Sequence, residues 1–101
     1  MSADFPVKHN EPQSRFEVLH DEGTSVLDYE QTGGQLVLVH TGVPPPLQGQ
    51  GIASSLAKAA VEYARSQGIK IVPQCPFVAA YVERHPEYVD LVDAKRPAHL
   101  A

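Results

Sequence analysis

Leu47-Gln48-Gly49-Gln50-Gly51-Ile52-Ala53-Ser54 stands between a wholly apolar strand pattern and the longest helical pattern in the chain. Its two glycines remove side chains where a backbone must turn tightly or meet a ligand closely. The first N–H groups of a helix have no partners inside it, and the helix dipole makes that end positive. A glycine-rich entry into a helix is therefore an anion site suited to phosphate, with Ser54 or Ser55 as an added hydroxyl donor. The same glycines would serve a tight helix entry with no ligand, so the loop alone does not decide. Two other phosphate-binding patterns fail on composition. A P-loop needs Gly-Lys-Ser/Thr, and no lysine occurs here. A Rossmann fingerprint would need glycine at Ser54 and a longer chain.

Upstream of the loop, Leu36-Val37-Leu38-Val39 is apolar on both faces, the pattern of a central strand covered on both sides. Val43-Pro44-Pro45-Pro46 stops that strand, since proline cannot donate to a ladder and holds the preceding residue extended. Further back, Arg15 to His20 alternates, with Phe16 and Val18 on one face. The next strand sets Leu27 and Tyr29 against Asp28 and Glu30. Asp21-Glu22-Gly23-Thr24 and Thr32-Gly33-Gly34 supply the turns. A short additional strand is expected near Phe5 to Lys8.

Downstream, Ile52, Leu56, Ala59, Ala60, Tyr63 and Ala64 recur at helical spacing. They predict a helix from Ile52 to Gln67 with Gly68 as its C-terminal cap. Ile69-Lys70-Ile71-Val72 reads as a buried strand. Pro76 suits the first turn of a second helix, Phe77 to His85, which Pro86 ends. The order is an antiparallel meander followed by helix, strand and helix. That is an α+β fold (an α/β mixed sheet in one layer), over residues 1–92, with a frayed tail over 93–101.

The chain's 101 residues suffice for one core and one domain. A net charge of −4, from 8 basic and 12 acidic residues, disfavours nucleic acid, whose binding needs clustered cations. No apolar run approaches the roughly 20 residues that span a bilayer, so no membrane partner is expected. Met1 to Lys8 lacks a charged-then-apolar leader, and Cys75 is the only cysteine; both fit the cytoplasm. His9, His20, His85 and His99 show no metal-ligand spacing, so no metal is expected.

Gln48-Gly49-Gln50-Gly51-Ile52-Ala53 resembles the Gln/Arg-x-x-Gly-x-Gly/Ala signature of the GNAT N-acetyltransferases. His40-Thr41, Pro73-Gln74-Cys75-Pro76-Phe77-Val78-Ala79-Ala80-Tyr81 and His85-Pro86-Glu87-Tyr88 look like the small single-domain branch of that superfamily. The resemblance covers roughly residues 5 to 92. It implies a GNAT-like cofactor cleft between two splayed parallel strands, one ending near Val43 and the other near Val72. Acetyl-CoA or coenzyme A would lie there as substrate, its pyrophosphate on the N–H groups of Gln50 to Ala53 and its pantetheine arm along His40 to Val43. The implied cofactor-binding set is Thr41, Gly42, Val43, Gln48, Gly49, Gln50, Gly51, Ile52, Ala53, Ser54 and Ser55. Two departures matter. Gln48 and Gln50 stand where relatives often carry arginine, which implies modest affinity with weak salt dependence. Gly42 replaces a larger, sometimes acidic residue and removes one candidate base.

Acetyl transfer needs a deprotonated nucleophile, a polarised thioester carbonyl and a proton for the departing thiolate. Cys75 stands just before a helix, where the dipole can lower a thiol pKa, and could accept the acetyl group covalently. A buried structural cysteine is the alternative. Tyr81 falls where larger GNAT enzymes hold a tyrosine general acid; core packing is its other reading. His40, expected on the face of Leu36 and Leu38, is a candidate base or a structural histidine. The expected function is acetyl transfer to an unidentified amine, through Cys75 or directly. The alternatives are a non-catalytic coenzyme A or acyl-CoA-binding module and, beyond that, a plain structural domain. A monomer or a weak homodimer paired through an exposed N-terminal edge strand is expected.

Overall fold

The computed structural model describes residues 6–93. Five strands form one sheet in chain order: β1 (Lys8–Asn10), β2 (Arg15–His20), β3 (Gly23–Thr32), β4 (Gln35–Gly42) and β5 (Lys70–Pro73). The first three junctions are antiparallel, because short turns return the chain beside itself. The last is parallel, because helix α1 (Ile52–Gln67) carries the chain back across the sheet. Helix α2 (Pro76–Arg84) and a 3-10 turn over Pro86–Leu91 follow.

The alternation in the sequence becomes one buried sheet face. Phe16 opposes Leu27, Tyr29 opposes Leu38, and Leu36 opposes Ile71, all buried. Onto this face α1 lays Leu56, Ala57, Ala60, Val61 and Ala64, each at 0% exposure. The small alanines let the helix backbone approach the sheet closely. Val78, Tyr81 and Val82 of α2, with Tyr88 and Leu91 of the turn, complete the same core.

The helix spans the bounds its periodicity predicts. Gly68 ends it in a left-handed conformation (φ 69°), its N–H and that of Ile69 closing onto Arg65 and Ala64 carbonyls. Several expectations shift. The N-terminal strand lies at Lys8–Asn10 rather than Phe5 to Lys8, held by its pairing with Arg15 to Glu17; Phe5 is outside the described residues. Because Ile69 still belongs to the helix cap, β5 runs Lys70–Pro73. Helix α2 runs Pro76–Arg84, one residue earlier at each end than expected.

Two corrections come from long-range pairing. Along β4, Asp28 opposes His40 while Tyr29 opposes Leu38, so Val39 is an extra residue, a β-bulge. The bulge breaks the alternation and turns His40 to the face opposite Leu36 and Leu38, where it is exposed. Val39 is 39% exposed as well, so β4 is central yet fully covered only on the α1 face. Asp93, the expected start of a frayed tail, is anchored to the sheet. Val92 bridges Ile71, and Asp93 donates its N–H to the Ile71 carbonyl and accepts from the Gln35 side chain. Residues 94–101 lie outside the described residues.

Candidate functional site

Strands β4 and β5 pair from Gln35–Lys70 to Leu38–Pro73 and no further. The Cys75 N–H still reaches the Leu38 carbonyl at 2.9 Å, after which Pro76 turns the chain into α2. Strand β4 continues to Gly42 against β3 alone. The two parallel strands therefore part at Leu38, and the backbone of Val39 to Gly42 loses its neighbour on the β5 side.

Beyond Gly42 the chain enters three prolines, and a 3-10 turn spans Pro45–Leu47. Prolines offer carbonyls but no N–H, so the carbonyls of this segment must find donors elsewhere. Each one does. The Val43 carbonyl accepts from Gln48 Nε2 at 3.0 Å, Pro44 from the Leu47 N–H at 2.9 Å, Pro45 from the Gln48 N–H at 3.2 Å, and Pro46 from Gln50 Nε2 at 3.4 Å. Leu47 is buried and pins the turn to the core.

Gly49 (φ 84°) and Gly51 (φ 88°) both take the left-handed conformation that disfavours other residues. A Cβ placed on either would meet no protein atom within 4 Å, so the loop faces open space. Gly51 is the N-cap of α1, and no side chain caps that end; no acidic residue occupies the first turn. The first helical bond runs from the Ser55 N–H to the Gly51 carbonyl, 3.1 Å, so the amides of Ile52, Ala53 and Ser54 precede it. A positively polarised helix end without its own cap suits an external anion.

Beside this end lies a cavity of about 330 Å³. Seven of the expected cofactor-binding residues line it: Val43, Gln48, Gly49, Gly51, Ile52, Ala53 and Ser54. Leu47 and Phe77 line it too, and the sequence reading missed both. Phe77 carried a usable signal, since it is the first large side chain after the proline that opens α2. Gln50 instead braces Pro46, Thr41 turns toward Cys75, and Gly42 lies beneath His40, whose Nε2 would sit 3.2 Å from a Cβ there.

The structure separates His40 from Cys75. Cys75 is buried at 5% exposure, with its Sγ 3.3 Å from Thr41 Oγ1 on the α1 side of β4. His40 is on the other side of that strand. Tyr81 is buried in α2, its ring stacked on His85 with centroids 4.1 Å apart and lying 6.2 Å from Tyr88. Burial, then the nearby Glu87 and Glu62 carboxylates, pushes its hydroxyl pKa up, so it holds its proton at neutral pH. Among the described residues no group of three or more His, Cys, Asp or Glu is placed to hold a metal. No described helix is long and apolar enough to cross a membrane.

Comparison with known proteins agrees with this fold. The family model described as GCN5-related N-acetyl-transferase matches residues 15–91. Protein NATD1 of Xenopus tropicalis is 36% identical over 90 residues, covering 84% of this chain and 81% of the relative. Protein NATD1 of Homo sapiens is 36% identical over 85 residues, covering 79% and 74% respectively. The NMR solution structure of a GCN5-like protein from Staphylococcus aureus superposes with a TM-score of 0.70 at 28% identity, covering 96% of each chain.

Proposed function

This chain belongs to the GCN5-related N-acetyltransferase family, and from that premise we propose that it binds acetyl-coenzyme A and transfers the acetyl group to an amine. The observation that carries the reading is the uncapped start of α1, with Gly49 and Gly51 holding their backbone open beside the cavity. The diphosphate of the donor would sit on the amides of that first turn. Its pantetheine arm would follow the unpaired edge of β4 from Val43 toward Val39. The thioester would then reach the point where β4 and β5 part, next to Cys75 and Thr41.

Transfer requires the acceptor nitrogen to attack the thioester carbonyl carbon. The C–S bond breaks, coenzyme A leaves as a thiolate, and the proton lost by nitrogen returns to that sulfur. Transfer through Cys75 would divide this into two exchanges at the same carbonyl, first to Sγ and then to the amine. His40 is exposed, but on the face of β4 away from Thr41 and Cys75. Incubation with acetyl-labelled donor and a panel of primary amines tests the proposal. Labelled amine is expected, and peptide mass spectrometry reports any label on Cys75. No labelled acceptor, with donor binding retained, refutes transfer.

One observation favours binding without turnover. None of the nine residues lining the cavity carries a group ionisable near neutral pH, and Cys75 and Tyr81 are both buried. In that reading calorimetry detects coenzyme A, and Cys75→Ala leaves the affinity unchanged.

A further inference from the structure

We infer that Gln48 and Gln50 are positioning residues that act on a bound diphosphate through the backbone they brace, not through their own side chains. The inference rests on the proposed donor site and deepens it. The segment from Val43 to Pro46 presents four consecutive carbonyls, and its three prolines supply no N–H. Backbone donors serve the middle two; the glutamine amides serve the first and the last. The bond from Gln48 also closes a ring of six residues, tying the end of β4 directly to the start of the glycine loop.

Two consequences follow for the ligand. The Val43 carbonyl is already engaged, so this edge of β4 offers an amide-rich arm one acceptor fewer. More importantly, two glycines one residue apart would leave the loop free to sample many conformations, each costing entropy to select on binding. Rigid prolines on one side and two amide clips across them remove that freedom in advance, so the glycine N–H groups are aimed before the ligand arrives. A side chain at position 48 thus needs an N–H donor of sufficient reach. It does not need a charge.

The test compares wild type with Gln48→Met, Gln48→Arg and Gln50→Met. Methionine keeps the length and removes the donor; arginine keeps a donor and adds a charge. Three quantities are measured: the Kd for coenzyme A by calorimetry, the Tm of the free protein, and 15N order parameters of the Gly49 and Gly51 amides in the free protein. Losing a hydrogen bond of ordinary strength predicts about fivefold weaker binding for Gln48→Met. Its Tm falls by no more than the roughly 4–8 °C that one such bond is worth, while the glycine order parameters fall from the rigid range of about 0.85. Gln48→Arg restores both order and affinity, and Gln50→Met, with the longer bond, shows a smaller loss. Wild-type affinity and order in Gln48→Met, or failure of Gln48→Arg to restore the order, overturns the inference. Absence of coenzyme A binding by wild type refutes the donor site instead, and the order parameters then still read the bracing directly.

Discussion

At the scale of single residues the site is made by what two positions lack. Gly51 sits at φ 88° and caps α1 with no side chain of its own. An alanine there keeps the space around it clear but forces an L-residue into a left-handed conformation, costing about 1–2 kcal/mol. In a domain of this size each kcal/mol lowers Tm by roughly 4–8 °C. Gly51→Ala is therefore expected to lower Tm measurably and, if the proposed site holds the donor, to weaken coenzyme A binding, because its methyl would project into the proposed diphosphate position. Gly42 makes the control. Its Cβ would come 3.2 Å from the tip of the His40 side chain and into ordinary contact with Val26, so Gly42→Ala should change stability by no more than about 0.5 kcal/mol. Thermal unfolding and calorimetry on the two variants separate the roles; equal behaviour would mean that Gly51 only shapes a turn.

At the scale of elements, the parts governed by local chemistry were legible in the sequence. The bounds of α1 follow from its apolar repeat, its entry glycine and its exit glycine, all within the segment itself. The face of His40 was not legible, because the bulge at Val39 arises from how β3 and β4 align across the sheet. For the same reason the contact between Thr41 and Cys75 could not be read, since 34 residues separate them. The contact of the β2–β3 turn with the proline segment was equally hidden. Gly23, at φ 140°, lies so close to Pro44 that a Cβ would come within 3.0 Å of its ring. Gly23→Ala is accordingly expected to push the proline segment outward and to weaken coenzyme A binding from outside the cavity. Docking of the 86–91 turn onto α1 carries a separate prediction. The Tyr88 hydroxyl donates to Glu62 at 2.5 Å, and burial together with that carboxylate raises its pKa well above the ordinary 10.0. Burial raises Tyr29 and Tyr81 in the same direction. A proton held more tightly in the folded state stabilises the fold fully below pH 10 and ceases to do so as pH climbs toward the folded value. Unfolding midpoints should fall above pH 10. Tyr88→Phe should lose about 1 kcal/mol at neutral pH through the missing hydrogen bond yet show a shallower alkaline decline. An unchanged alkaline slope would remove Tyr88 from the explanation.

At the scale of the whole molecule the unusual feature is the sign of its charge. The chain carries a net −4, and its proposed ligand is an anion. Sites that grip phosphates with lysine or arginine gain affinity from attraction that salt screens, so their binding weakens as ionic strength rises. Here the residues lining the cavity include no cation, so under the proposal the attraction would come from the amides and dipole of one helix end. Those fixed partial charges act at contact distance, inside the Debye length of about 8 Å at physiological salt. The long-range field of the chain works the other way and repels the ligand, and that is the part screening suppresses most. The two contributions therefore separate experimentally. Between low and high ionic strength, the Kd for coenzyme A should stay level or improve slightly, chiefly through a faster association rate as the repulsion is screened. Gln48→Arg supplies the contrasting case, because a fixed cation beside the glycine loop should reintroduce weakening by salt. A wild-type affinity that falls steeply with salt would mean that lysine or arginine side chains reach the ligand, and that the amides of α1 do not hold the anion by themselves.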